Sequence, residues 1–409
     1  MSLKRSIGAT SAASATSAIA AFLVSILLAR LVGPAGQGLV NLVTTSAGLV
    51  TLVGVAGTGL ALRLRSKGDP AAKDFHAFSA FTLSAAPLAA VIALIVTLVL
   101  HRESWTQAEV VAIATYGLFA FLARQTQEGI QALGDVARAI WGVVTSHAVN
   151  ASFLVAAILY APDSLLAALW AAAGGQIAQV FIGIMLTRGP QRDMWRPVWS
   201  GRRVATLLRI GIPSLGYGLG LFALQRADRL LLVSLSSPSA AGLYAVASSV
   251  GEAGRLLTAP IGQQLFVRVT ASGYDAATRR AYWLVLAMQA LPLAAMVLLA
   301  DPIIPAVFGA PYQESAQLLQ WLALAEFFMG AALLDSRILM GLRGPKMVSV
   351  ITLAVVPLSL AAYLIFIPRY ETLGAVGVTC VTYIVYSLAL RAAVVQTEPT
   401  TSRPREMKV

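Results

Sequence analysis

Eight charged residues lie inside stretches that are otherwise apolar: Arg124, Glu128, Arg226, Asp228, Arg229, Glu252, Arg255 and Glu326. An arginine there offers a permanently charged planar fork, which binds phosphate or carboxylate through two parallel hydrogen bonds. A carboxylate there can pair with such a fork, or take up a proton or sodium ion. Spacing narrows the choice. In LQRADRLLLV (224–233), Arg226 and Arg229 are three residues apart and lie about 60° apart on one helix face. Asp228 is about 100° from Arg229 and turns towards another helix. Arg124 and Glu128 are spaced i,i+4, and Glu252 and Arg255 i,i+3. Each such pair has a structural reading, an ion pair that offsets its own burial. For the Arg226/Arg229 face two alternatives stand: an anion held in a cavity, or interhelical pairing with Glu252 or Glu326. Asp335 and Arg337 follow Glu326 towards the end of the same segment.

The elements that carry these residues are membrane spans. The chain of 409 residues is 58% hydrophobic and 12% charged, about half the charge of a soluble domain. Long apolar runs recur along its whole length. A charge at a helix centre costs roughly 2.5–3.5 kcal/mol, so three in one span cost about 8–10 kcal/mol. That cost roughly cancels the gain from the apolar residues of the same span. The charges should therefore face protein or a wet interior. The net charge of +12 does not imply nucleic acid, because no basic, aromatic-interleaved soluble module is present. Cys380 is the single cysteine and His76, His101 and His147 are scattered. No disulfide framework, metal site or cofactor is expected.

Segments of spanning length fall near 7–32, 38–62, 77–100, 108–133, 139–160, 164–187, 208–236, 240–266, 280–300, 315–340, 347–367 and 372–394, about twelve helices. The breaks are Gly-Pro at 33–34, Ser-Ser-Pro at 236–238 and Ile-Pro-Arg at 367–369. The N-terminus, alternate turns and the C-terminal tail hold 23 of the 30 Lys and Arg. That bias places both termini in the cytoplasm. The expected organisation is an all-α integral membrane protein. An N-terminal six-helix bundle (1–190) leads through a cytoplasmic linker (191–207) to a C-terminal bundle (208–396) and a cytoplasmic tail (397–409).

The two bundles resemble each other. LLARLVGPAGQGLVNLVTT (27–45) aligns without a gap on LLVSLSSPSAAGLYAVASS (231–249), with Pro34 on Pro238, Gly38 on Gly242 and Arg5 on Arg209. A duplicated unit of six helices gives parallel repeats, related by a pseudo-two-fold axis along the membrane normal. Gly-rich stretches at 46–63 and 211–220, and Pro213, Pro260, Pro292 and Pro357, permit close packing and bending.

Four landmarks then carry a family resemblance. ARLVGPAGQGLVNL (29–42), ADRLLLVSLSSPSAAGLYAVASS (227–249), DPIIPAVFGAPYQESAQLLQWLAL (301–324) and GLRGPK (341–346) occur in order. Together they resemble the polysaccharide flippases of the multidrug/oligosaccharidyl-lipid/polysaccharide exporter superfamily. One departure is Phe266-Val267-Arg268, where that family often has a proline. The resemblance implies alternating access between inward- and outward-facing states. The implied substrate is a polyprenyl-pyrophosphate-linked oligosaccharide, carried from the cytoplasmic to the outer leaflet of the cell membrane for surface polysaccharide assembly. A polysaccharide polymerase and glycosyltransferases are the partners it implies. The brevity of the chain, without further C-terminal helices, speaks against the fourteen-helix lipid II flippases.

On the residues, Arg226, Arg229, Arg255 and Arg124 are then the expected substrate contacts in a central cavity. Asp228, Glu252, Glu326 and Glu128 are the expected coupling or pairing groups. The main alternative, a multidrug or cation antiporter on the same fold, needs a cavity rich in acidic or aromatic groups. A membrane glycosyltransferase or ligase needs a large external loop with catalytic carboxylates. The external turns are short, and the longest, near 300–314, offers only Asp301 and Glu314. An enzyme is not expected, since no phosphate-cradling Gly loop with Lys and no hydrolase nucleophile motif occurs.

Overall fold

The computed structural model describes residues 3–66, 72–187, 190–255 and 258–397. The expected tail beyond Thr397, Lys67 and Arg188 of the basic turns, and the side chains of Arg5 and Pro260 lie outside what is described. The described chain is helical, without strands: α1 (Leu3–Gly54), α2 (Thr58–Ser66), α3 (Ala72–Leu100), α4 (Gln107–Ala132), α5 (Val136–Tyr160), α6 (Leu165–Met185), α7 (Pro190–Asp193), α8 (Gly201–Gly211), α9 (Leu215–Leu235), α10 (Pro238–Ala253), α11 (Thr258–Ser272), α12 (Ala276–Phe308), α13 (Gln313–Arg343) and α14 (Pro345–Val395). Eight helical stretches among the described residues are long and apolar enough to cross a membrane. Two of these contain two segments each, joined at non-helical Gly33 (φ 62°) in α1 and Glu371 (φ 49°) in α14. With α4 and the α10–α11 pair, the described residues supply the twelve segments of an all-α integral membrane protein.

Contacts divide the chain into two compact units. Unit 1 comprises Met1–Phe222 with Ser237–Gly242, and unit 2 comprises Ala223–Ser236 with Leu243–Val409. In unit 1, α6 packs on α4 and α5 while α1 packs on α5 and α3. Leu31, Val43, Ile113, Phe121, Leu169 and a set of buried alanines form its core. Alanine is short enough to bring helices close where the surrounding lipid gives no hydrophobic drive. In unit 2, α13 is the central helix, packed on α11, α12 and α14. Leu319, Leu322, Met329, Leu334, Ile338 and Leu339 of α13 are almost wholly buried.

Several boundaries differ from the sequence expectation, each for a local reason. The segment expected at 240–266 is two helices. After Ala253 the backbone tightens, with Gly254 N–H donating to the Gly251 carbonyl (3.0 Å) and Arg255 N–H to that of Glu252 (3.2 Å). α12 continues through the supposed external loop to Phe308, because its Pro302 and Pro305 are accommodated within the helix. The expected stop at Pro368 lies instead at Glu371, the residue with positive φ. Ser-Ser-Pro does end α9 as read. Pro238 opens α10 at a position that needs no N–H, and the Ser237 hydroxyl accepts from the Ala240 amide at 3.1 Å.

The aligned Pro-Gly turns meet within unit 1. A Cβ on Gly38 would lie 1.9 Å from the Pro238 carbonyl oxygen, and one on Gly242 would lie 1.9 Å from that of Pro34. Reciprocal contact of this kind is the signature of a local two-fold.

The start of α12 provides a pH-dependent cap. Asp275 accepts from Thr278 N–H (2.7 Å), the Thr278 hydroxyl (2.6 Å) and Arg268 Nη2 (2.9 Å). Arg268, followed by the Thr278 donors, holds this carboxyl well below the usual carboxylate range. A lowered folded pKa stabilises the fold above the unfolded value, about 3.9, and that stability is lost as pH falls towards the folded value. Asp275→Ala should therefore lower the thermal midpoint at neutral pH, with the difference from wild type closing below about pH 4. A difference that stays constant with pH would remove the charge from this explanation.

Candidate functional site

The charges of LQRADRLLLV converge inside unit 2. Arg226 forms a two-pronged contact with Glu252 of α10, Nη1 to Oε1 at 2.6 Å and Nη2 to Oε2 at 2.9 Å. Arg229 Nη2 donates to the same Glu252 Oε1 and, at 2.8 Å, to the Ser248 hydroxyl. The two arginines thus share one target, as their spacing requires, and that target is a carboxylate. Arg255 does not pair with its i,i+3 neighbour Glu252; its Nε donates to Glu326 of α13. The helix break after Ala253 separates Arg255 from the register that would hold an i,i+3 pair. Gln289 of α12 donates to the Glu326 backbone carbonyl at 2.9 Å, tying α12 to the same place.

Asp228 turns to another helix. It accepts from the hydroxyl of Tyr244 (2.5 Å) and from the Arg229 amide (2.7 Å). The Tyr244 oxygen also meets the Thr379 hydroxyl at 2.8 Å, which meets the Tyr363 hydroxyl at 2.8 Å. Asp228, Tyr244, Tyr363 and Thr379 are each at most 2% exposed.

Three arginines therefore face three carboxylates in unit 2, counting Glu326 with the charges of α9 and α10. The surplus positive charge that Arg255 adds to the balanced charges of α9 and α10 is cancelled by Glu326 of α13. One donor nonetheless stays open: Arg229 is 6% exposed, and its buried Nε meets no acceptor among the described residues. A desolvated guanidinium N–H without a partner is costly.

Unit 1 holds a similar arrangement around Glu128 of α4, which is 7% exposed. Arg124 Nη2 lies 2.8 Å from Glu128 Oε1, the expected i,i+4 pair, and Arg63 Nη2 of α2 lies 2.7 Å from Oε2. Arg63 Nη1 also donates to Gln131 at 2.5 Å. The two arginines are about half and one-third exposed, so this fork is open where that of unit 2 is closed.

Several partners were not legible in the sequence. Tyr244, Tyr363, Thr379 and Arg63 belong to no motif or charge pair that the sequence marks. Arg391, near the end of the last expected span, lies over the Tyr282 ring at 4.7 Å and donates to Asp335 at 3.3 Å. The Tyr282 hydroxyl donates to Asp335 as well, at 3.1 Å. Their only sequence signal was polar character within spanning segments. Arg337 packs its aliphatic stem beside Gly262. Cys380 donates to the Trp321 carbonyl at 3.4 Å, and no group of three metal-ligating side chains occurs among the described residues.

Between the two segments of α14 lies a groove of about 670 Å³, lined by Leu358, Phe366, Tyr370, Leu373, Val378 and Val381 among others. It offers hydrocarbon surface and almost no hydrogen-bonding groups, so it suits acyl or prenyl chains and not sugars.

Comparison with known proteins places this geometry. No curated protein sequence matches significantly. Among solved structures, the chain is similar to the lipid II flippase MurJ in an inward closed conformation, with a TM-score of 0.76 at 14% identity over 94% of this chain and 87% of that one. It is also similar to an inward-facing multidrug resistance MATE family transporter of the MOP superfamily, with a TM-score of 0.68 at 16% identity over 94% and 96%. An outward-facing transporter of that description gives 0.58 at 16% identity over 97% and 95%. At these identities the likeness is one of fold alone, that of a multi-pass helical membrane protein. The family model for polysaccharide biosynthesis proteins matches residues 3–267, and the chain belongs to that family.

Proposed function

We propose that the protein is an alternating-access flippase that moves a polyprenyl-pyrophosphate-linked oligosaccharide across the cell membrane, from the cytoplasmic to the outer leaflet. Family membership supports the substrate class. The observation that carries the site is the doubled arginine on a single glutamate, Arg63 and Arg124 on Glu128 and Arg226 and Arg229 on Glu252. Such a fork can turn to a phosphate group, an incoming oxyanion replacing the carboxylate as its partner, while the released glutamate is left to take up a proton or cation. Arg229 Nε meets no acceptor among the described residues, and Arg255 lies just past the end of α10, where it binds Glu326. Asp228 and Glu326 are the groups through which proton or sodium entry would couple. Both termini are taken as cytoplasmic from the distribution of Lys and Arg. A polymerase and glycosyltransferases are proposed as partners from the family's role.

A cation antiporter on the same fold has less support. Asp228, Glu252, Glu326 and Glu128 each already accept from arginine or tyrosine, which leaves a cationic drug no unpaired carboxylate among them.

Arg226→Ala and Arg229→Ala are expected to abolish export of the lipid-linked glycan while leaving the protein inserted and folded. Arg226→Lys, which keeps the charge but not the two-pronged contact, should reduce export by about tenfold or more. Normal export by both alanine variants, in inverted vesicles loaded with the lipid-linked glycan, would contradict the site.

A further inference from the structure

We infer that α8 and the linker before it form a docking surface for anionic phospholipid headgroups, at the end of unit 1 that carries its basic turns. The stretch from Gly201 to Leu235 is a candidate span of 35 residues. At 1.5 Å per residue it is about 52 Å long, against a hydrocarbon core of about 30 Å. Much of α8 therefore extends past the hydrocarbon, to the depth of the headgroups.

One face of α8 is fixed to the protein. Val204 and Leu207 are buried, Leu207 within a cluster that includes Leu62, Phe75 and Phe78. Gly211 packs on the backbone of Ala56 and Gly57, where a Cβ would lie 2.4 Å from the Ala56 carbonyl oxygen. Arg203 binds Asp74 of α3 at 2.5 Å, and Arg65 of α2 binds the same carboxylate at 2.8 Å. The linker is equally fixed. Trp195 sits edge-on to Phe75 at 4.9 Å, and Val198 N–H donates to the His76 carbonyl at 3.3 Å.

The opposite face presents a different chemistry. Arg202 and Arg209 are exposed and make no ion pair among the described residues. Seven residues apart, they lie two turns along one face. Beside them Trp199 is 62% exposed, Val198 56% and Ile212 53%. A held, outward-facing Trp-Val edge next to two free guanidinium groups is unfavourable in water. It is complementary to a bilayer surface, where tryptophan settles at headgroup depth and arginine takes phosphate in its fork. Charge selects the occupant: an anionic phospholipid, held by its phosphate with acyl chains against the apolar residues.

The test uses the full-length protein in nanodiscs of phosphatidylcholine with one-fifth phosphatidylglycerol, counting retained phosphatidylglycerol by mass spectrometry after delipidating washes. Each basic residue near an anionic surface is worth about a fivefold preference. The double variant Arg202→Gln/Arg209→Gln should therefore lose retained phosphatidylglycerol by about tenfold or more. Arg279→Gln/Arg280→Gln removes the same charge from the exposed start of α12 and should lower retention clearly less, because it leaves the α8 face intact. Trp199→Ala should lower retention without any change of charge. Unchanged retention in the α8 double variant, or an equal loss in both double variants, would overturn the inference.

Discussion

Glu252→Ala should be among the most destabilising single substitutions in the protein, by about 3–5 kcal/mol. Glu252 receives both Arg226 and Arg229, and Arg229 is 8% exposed in its side chain. Removing the carboxylate strands the buried Arg229 and the partly buried Arg226, with only the Ser248 hydroxyl at 2.8 Å left to the first of them. Removing the charges together should behave differently. A buried ion-pair set replaced by apolar residues of similar volume is often neutral in stability. The triple variant Arg226→Met/Arg229→Met/Glu252→Leu should thus recover much of the lost stability in a detergent unfolding titration. It should not recover export, because the fork of unit 2 that would receive a phosphate is gone. The pair of variants separates structure from transport: a triple variant that is both stable and active would leave the cluster a purely structural role.

The second large effect is expected at two positions 204 residues apart in the sequence, Gly38 and Gly242. A single methyl group on either would lie 1.9 Å from the opposing proline's carbonyl oxygen. No rotamer relieves a Cβ clash with backbone, so the turns must move apart. Gly38→Ala and Gly242→Ala should each cost about 1–3 kcal/mol or more, the range for overpacked sites. Because both act on one contact, the double variant should cost clearly less than the sum of the singles. Thermal unfolding of the two singles and the double checks this. Additive costs, or wild-type midpoints for the singles, would show that these turns do not meet as described.

These cases show which parts of the protein were legible in its sequence. The spanning segments were, because long apolar runs separated by Gly, Pro and basic residues have few other foldings available. The convergence of Arg226 and Arg229 was also legible, since helical spacing alone puts them on one face. Their partner was not: Glu252 and Glu326 were both open choices, and only packing decides between helices distant in sequence. The i,i+3 spacing of Glu252 and Arg255 suggested a pair that the break after Ala253 prevents, and nothing in GEAGR announces that break as different from an ordinary glycine in a span. Pro368 was read as a stop because proline usually ends a helix. In α14 the chain instead turns three residues later at Glu371. The Asp228–Tyr244–Thr379–Tyr363 chain joins three helices through residues that each look unremarkable alone. Hydroxyl groups in spans satisfy themselves locally as often as they reach across, so spacing gives no hint of such a chain.

A charged substrate of the proposed class would gain energy from the membrane potential. Carrying one charge across 100 mV is worth about 2.3 kcal/mol, so a diphosphate with about two negative charges leaving a negative interior gains roughly 4–5 kcal/mol. Export driven in this way would not require a dedicated ion site. Coupling through Asp228, Glu252 or Glu326 is the contrary case, and unchanged flux on collapsing the potential would rule out the potential-driven one.

The most direct measurement is made in liposomes containing the purified protein, comparing translocation of a short polyprenyl-pyrophosphate-linked oligosaccharide with that of a fluorescent organic cation. A lipid-linked glycan flippase with paired arginines should move the glycan and leave the cation. Arg226→Ala and Arg229→Ala should reduce glycan movement to that of protein-free liposomes. Movement of the cation without the glycan would contradict the proposed function.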